Sequence, residues 1–116
     1  MFPPIQDIQL INYIKRKRSI KNPKKLYKIP VVGNQYFERL PKKLPKNIDI
    51  MIENDFTNKH DKNALLVKYK INNKVIPVGF IPRDKVYDFR KIKNKLHYLG
   101  IVTENTNIAI IGELKS

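Results

Sequence analysis

The sequence lacks cysteine and tryptophan, and it has only four glycines and two histidines among its 116 residues. Without cysteine the chain forms no disulfide, no thiolate zinc site and no thiol nucleophile. The two histidines, His60 and His97, are too few for most histidine-based metal sites. We therefore expect neither a metal nor another cofactor.

Long hydrophobic runs are also missing. No apolar stretch approaches the roughly 18 residues that a membrane-spanning helix needs. The first residues do not form the uninterrupted apolar segment of a secretory signal, because polar side chains interrupt it at Gln6, Asp7, Gln9 and Asn12. We expect an intracellular protein that does not bind a membrane, in the nucleus or the cytoplasm.

Acidic residues are scarce as well. Asp and Glu number 10 against 24 Lys and Arg, so the formal net charge is +14. Such a surplus opposes folding by self-repulsion, and it usually indicates a polyanionic partner. Nucleic acid is the first candidate and an anionic membrane surface the second. The length fits a single folded domain.

Basic residues are concentrated near the N-terminus, where residues 1–28 contain eight bases and one acid. Apolar residues at helical spacing predict an amphipathic helix over residues 4–18, followed by a basic linker to about residue 27. We assign residues 1–28 to this basic segment and residues 29–116 to the folded domain. The candidate auxiliary phosphate contacts are Lys15, Arg16, Lys17 and Arg18.

The rest of the chain is predicted to be mostly strands, since apolar and polar residues alternate in it. The first four predicted strands are Tyr27–Gly33, Asn47–Glu53, Ala64–Ile71 and Lys74–Ile81. Asn72 and Asn73 suit a two-residue hairpin, because asparagine tolerates positive φ. Pro77 predicts an edge strand or a bulge in the fourth strand.

A second helix is predicted to begin at Pro82, with an apolar stripe at helical spacing. The stripe consists of Val86, Phe89, Ile92 and Leu96, with Gly100 as the C-terminal stop and Tyr87 as a further core residue. A last hairpin joins Ile101–Thr103 to Asn107–Leu114. The predicted fold is mainly β with two helices, as a small, partly open six-stranded barrel similar to oligonucleotide-binding barrels.

The segment Asn54–Ala64 is a polar loop between two predicted strands. It holds more Asn and Asp than a tight turn requires. Short polar side chains on a stiff sheet are a common place for binding residues.

Three blocks of the sequence together resemble the HIRAN domain family. They are Val31–Phe37, Asp55–Ala64 and Val78–Asp84, in the family's order. The resemblance covers about residues 29–114 and suggests a stand-alone HIRAN-like protein. It implies a modified oligonucleotide-binding barrel that grips the 3′ end of single-stranded DNA, without enzymatic activity. DNA replication or repair is the implied process, and replication or repair proteins are candidate partners.

The resemblance also implies roles for individual residues. Tyr36 and His60 hold the positions that flank the terminal base, and Asp61 holds the position that binds the free 3′ hydroxyl. Asn58 lies beside Asp61, and Arg83 occupies the position of a phosphate-binding cation. An ionised carboxylate accepts a hydrogen bond from a hydroxyl and repels a phosphate, so this role is chemically sound.

Several contact positions depart from the family pattern. Gln35 replaces an arginine, His60 replaces a tyrosine, Thr57 replaces an asparagine, and Phe80 stands where a polar residue can bind phosphate. Structural roles compete with the functional ones: Tyr36 as a core residue, Asp61 as a turn residue that bonds its own loop, and Arg83 as a solvated cation.

Three other functions remain open. The N-terminal helix could bind a groove on another protein, which would make the chain an adaptor or an inhibitor. Charge alone also fits a general nucleic-acid binder. A metal-dependent nuclease would use Glu53, Asp55 and Asp61, and Glu113-Leu114-Lys115 resembles the E-x-K half of a nuclease motif. The sequence does not determine the oligomeric state.

Overall fold

The computed structural model describes residues 25–41, 44 and 48–115, and in these it shows six strands and one α-helix. The predicted N-terminal helix and its four basic residues, Lys15, Arg16, Lys17 and Arg18, lie outside the described residues. The elements are β1 (Leu26–Val31), β2 (Asp49–Asn54), β3 (Leu65–Ile71), β4 (Lys74–Phe80), α1 (Val86–Ile92), β5 (Leu96–Glu104) and β6 (Asn107–Leu114). None of the described helical segments has the length and apolar character that a membrane span requires.

The strands form two three-stranded antiparallel sheets, so the prediction of a mainly β fold is confirmed. The first sheet has the order β1-β6-β5 and the second the order β2-β3-β4. Among the described residues, one isolated bridge, between Val32 and Phe80, links the end of β1 to the end of β4. Its two backbone hydrogen bonds are 2.8 and 2.7 Å long. In the described chain the two sheets do not close into a barrel, because β2 and β5 do not pair.

The core lies between the sheets and is built from their alternating apolar positions. In β3, Leu65, Val67 and Tyr69 are buried, whereas Lys68 and Lys70 lie on the other face, as a period of two requires. In β2 the isoleucines face inwards in the same way. The buried cluster joins both sheets and α1, and its members are Ile29, Val31, Ile48, Ile52, Leu65, Val67, Tyr69, Val78, Ile81, Val86, Phe89, Leu96 and Ile110.

Two predictions are confirmed at β4, one for the turn before it and one for its edge position and bulge. Asn72 and Asn73 have φ values of 51° and 67°, which is the left-handed conformation expected of a tight hairpin. Pro77 lies on an edge strand, and the β3–β4 register shifts next to it. Lys68 pairs with Pro77 and Val67 with Gly79, so Val78 is the extra residue of a β-bulge.

The second predicted helix is too long. α1 ends at Ile92, a 3₁₀ turn covers Lys93–Lys95, and Leu96 begins β5. Leu96 continues the helical stripe, but it equally suits a strand, and it is buried there opposite Leu114. Gly100 is not a helix stop. It lies in β5, where the register shift leaves Leu99 as the extra residue.

Candidate nucleic-acid site

The three sequence blocks meet around the end of β4. On one side, the Val32–Phe80 bridge brings the 3₁₀ turn Asn34–Tyr36 next to β4. On the other side, the Ile81 amide donates a hydrogen bond of 3.1 Å to the Leu65 carbonyl, directly after the polar loop. The segment from Phe80 to Arg83 therefore lies between the turn and the loop.

The turn presents Gln35 and Tyr36 to solvent. Gly33 begins it with a φ of 74°, a conformation that suits glycine, and the Tyr36 amide donates to the Gly33 carbonyl at 3.1 Å. The Tyr36 side chain is 79% exposed. A core role for Tyr36 is therefore wrong, and its ring is accessible to a ligand.

Phe80 gives this region an apolar surface. Its ring lies 5.7 Å from the Phe37 ring, centroid to centroid, at a tilt of 48°, within the usual range for aromatic pairs. A Cβ atom added at Gly33 would lie 3.3 Å from Phe80 Cδ2 and 3.8 Å from Tyr36 Cδ2. The Tyr36 and Phe80 rings thus border the same backbone position, and Phe80 has no polar group for a phosphate.

Most polar side chains of the loop hold the loop itself. Asp55 Oδ1 accepts hydrogen bonds from the amide and hydroxyl of Thr57, at 3.3 and 2.7 Å. Asn58 Oδ1 accepts from the amides of His60 and Asp61, both at 2.9 Å. The side-chain oxygen of Asn58 is thereby occupied, so a ligand would meet its NH₂ group. Thr57 and His60 are exposed.

Asp61 is the exception, because its two carboxylate oxygens have different neighbours. Oδ1 accepts a hydrogen bond of 2.9 Å from the Asn63 amide, which confirms the turn role. Oδ2 faces Nε of Arg83 at 4.0 Å, beyond hydrogen-bond length, and so retains acceptor capacity. The Asp61 side chain is 22% exposed and that of Arg83 is 86% exposed.

Arg90 is a residue of this region that the sequence analysis missed. Its guanidinium group lies at the base of the polar loop and bridges the two ends. One nitrogen donates to Asn54 Oδ1 and the other to the Asn63 carbonyl, both at 3.1 Å. Arg90 is on α1, about thirty residues from both partners along the chain, so no local pattern could have identified it.

The carboxylates do not gather as the nuclease alternative requires. Among the residues that the structure describes, no group of three His, Cys, Asp or Glu side chains could hold a metal ion. Glu53 instead pairs with Lys68 at 3.2 Å. Asp55 and Asp61 are used by backbone and hydroxyl donors of their own loop.

A concave region lies away from these residues. It is an open groove of about 710 Å³, lined by β2 together with Lys93, Asn94, Lys115 and the start of β5. The Tyr98 hydroxyl in its wall donates to the Lys93 carbonyl at 2.9 Å, and burial raises the pKa of Tyr98 to about 12. None of the residues that line the groove belongs to the three sequence blocks, and no sequence pattern predicted the groove.

Comparison with known proteins found no matching family model, no matching curated protein and no matching solved structure. The resemblance to the HIRAN family therefore depends on the three sequence blocks alone.

Proposed function

We propose that this chain is a HIRAN-like module that binds the free 3′ ends of single-stranded DNA, without enzymatic activity, in DNA replication or repair. The accompanying fold proposal is a partly open, six-stranded barrel similar to oligonucleotide-binding barrels. The Val32–Phe80 bridge joins its two sheets at one seam, and the groove between β2 and β5 is the open seam.

The pairing of Asp61 with Arg83 carries this proposal. A terminal nucleotide presents a hydroxyl and a phosphate on one sugar. The Oδ2 atom of Asp61 accepts a hydrogen bond from a hydroxyl but repels a 3′ phosphate, and Arg83 supplies a planar cation that suits phosphate oxygens. The 4.0 Å separation of the two groups leaves both available for such a ligand.

The exposed aromatic ring of Tyr36 supports the same assignment. A base stacked on an aromatic side chain contributes about 1–3 kcal/mol with little dependence on sequence. His60, exposed on the loop, is the candidate for stacking on the other side of the terminal base. The net charge of +14 adds attraction for any nucleic acid, and this attraction weakens steeply with salt.

The test is binding of two short thymidine oligomers, identical except that one ends in a 3′ hydroxyl and the other in a 3′ phosphate. We measure fluorescence anisotropy at about 150 mM salt, where non-specific charge contacts are weakened. We expect the hydroxyl end to bind about tenfold more tightly, equivalent to about 1.4 kcal/mol. The variant Asp61→Asn, which keeps the shape but loses the charge, should bind both oligomers almost equally.

Asp84→Asn is the matched control, because Asp84 is an exposed carboxylate in the 3₁₀ turn Arg83–Lys85. It should keep the end preference. Equal binding of both oligomers by the unmodified chain, with steep dependence on salt, would refute end recognition and leave a general nucleic-acid binder.

A further inference from the structure

The outer face of α1 carries an exposed aromatic residue next to a cation. Tyr87 is 75% exposed, so the expectation of a core role for it is wrong. The ammonium nitrogen of Lys91 lies 4.4 Å from the centroid of the Tyr87 ring, within the range of a cation–π contact. Lys91 also faces Asp88 Oδ1 at 4.0 Å.

A second exposed aromatic residue lies in the polar loop. Phe56 is 82% exposed, and it follows Asn54 by two positions. Arg90, one helical turn after Tyr87, donates to Asn54 Oδ1 and to the Asn63 carbonyl. The loop with Phe56 and the helix with Tyr87 are therefore connected through one guanidinium group.

The segments that carry these two rings, residues 54–64 and 83–92, hold six basic and four acidic residues. Lys59, Lys62, Arg83 and Lys91 are all exposed on the loop, the 3₁₀ turn or α1. Exposed rings among cations are the combination with which proteins hold single-stranded nucleic acids: bases stack on the rings, and cations attract the phosphates. This surface thus offers exposed aromatic rings with a small excess of positive charge.

We propose that Phe56, Tyr87 and Lys91 form a second platform, which binds the nucleotides that precede the 3′-terminal one. The inference rests on the proposed function, because it extends the strand from the site at Asp61 and Arg83. From a 3′ end the strand continues in one direction only, and we assign its next nucleotides to the surface beside the polar loop. The platform borders that loop through Arg90.

The experiment is a length series of thymidine oligomers, all ending in a 3′ hydroxyl. The unmodified chain should bind an oligomer of about ten nucleotides at least tenfold more tightly than one of about three, because added bases stack on the platform. Tyr87→Ala should weaken binding of the long oligomer roughly tenfold and leave the short one within about twofold. Phe56→Ala should act in the same direction.

Two variants serve as controls. Tyr87→Phe keeps the ring and should retain tight binding of the long oligomer. Val75→Ala removes an exposed apolar group five positions from Phe80 along β4, about 17 Å by strand rise, and it should change neither affinity. Equal weakening for long and short oligomers, or no weakening, would overturn the platform.

The two proposals fail in different ways. If Tyr87→Ala removes the dependence on length while both 3′ ends bind equally, the platform stands and end recognition is wrong. If the hydroxyl preference persists in Tyr87→Ala and the dependence on length is unchanged, the platform is wrong and end recognition stands. If the chain binds no oligomer, both are wrong, and a protein partner for this surface becomes the better interpretation.

Discussion

The polar residues of the loop have separate tasks. Asp55 and Asn58 stabilise the loop through short-range hydrogen bonds to Thr57, His60 and Asp61. Asp61 alone combines a loop hydrogen bond through Oδ1 with a second oxygen that faces a cation. Substitution of the first two should therefore disturb the shape of the site, whereas substitution of Asp61 should change its selectivity.

Arg90 holds the two ends of the polar loop, and its substitution tests this positioning role. Arg90→Met removes both hydrogen bonds at the base of the loop, at a cost of about 1 kcal/mol in stability. Exchange of the His60, Asp61 and Asn63 amides with deuterium should become faster, because the loop is held less firmly. The binding preference for a 3′ hydroxyl should fall with it.

Two control variants separate the positioning role of Arg90 from the effect of its charge. Arg90→Lys keeps the charge but not the two-pronged geometry of guanidinium, so it should behave like Arg90→Met. Lys95→Met removes one exposed cation from the turn that follows α1 and should leave amide exchange of the loop unchanged. If Arg90→Lys preserved both exchange rates and end preference, the positioning role would be wrong.

At the scale of elements, the strands were predictable because alternation of apolar residues is a local property. β2, β3 and the Asn72–Asn73 hairpin follow from that pattern almost residue by residue. The end of α1 did not, because Leu96 satisfies the helical and the strand period at once, and only its pairing with Leu114 decides between them. Asp61 and Arg83 could be singled out from motif positions, but Arg90 depends on a contact between distant segments.

Gly79 lies where the two sheets meet, so its substitution tests how the sheets are joined. A Cβ atom there would lie 2.5 Å from the Val32 carbonyl oxygen and 2.7 Å from Val31 Cγ1. Backbone cannot move aside cheaply, so Gly79→Ala should lower the free energy of unfolding by about 1–3 kcal/mol. It should also weaken DNA binding, since the Val32–Phe80 bridge positions the turn that carries Tyr36. Urea denaturation and anisotropy measure the two effects.

Gly112→Ala is the matched comparison for that prediction. The added Cβ atom would meet only the Leu96 side chain, with Cδ1 nearest at 3.1 Å, and a side chain can shift. We expect a loss below about 1 kcal/mol. A larger loss for Gly112→Ala than for Gly79→Ala would contradict the account of how β1 and β4 are joined.

In the whole molecule, the +14 charge favours attraction to any polyanion, and we expect specificity to come from how the sheets are arranged. The bridge at Val32–Phe80 and the loop after β2 bring three separate sequence blocks to the end of β4. The open groove between β2 and β5 is a consequence of the same arrangement. No single segment of sequence contains either feature, so neither could be predicted from it.

The most direct test of end recognition is an amide NMR titration at about 150 mM salt with a short thymidine oligomer. With a 3′ hydroxyl, we expect the largest chemical-shift changes in the turn Asn34–Tyr36, the loop Asn58–Asp61 and the segment Phe80–Arg83. A 3′ phosphate on the same oligomer should reduce the shifts at Asp61 and Arg83 most. Shifts confined to the β2–β5 groove, or identical shifts for both ends, would contradict a 3′-end site at the end of β4.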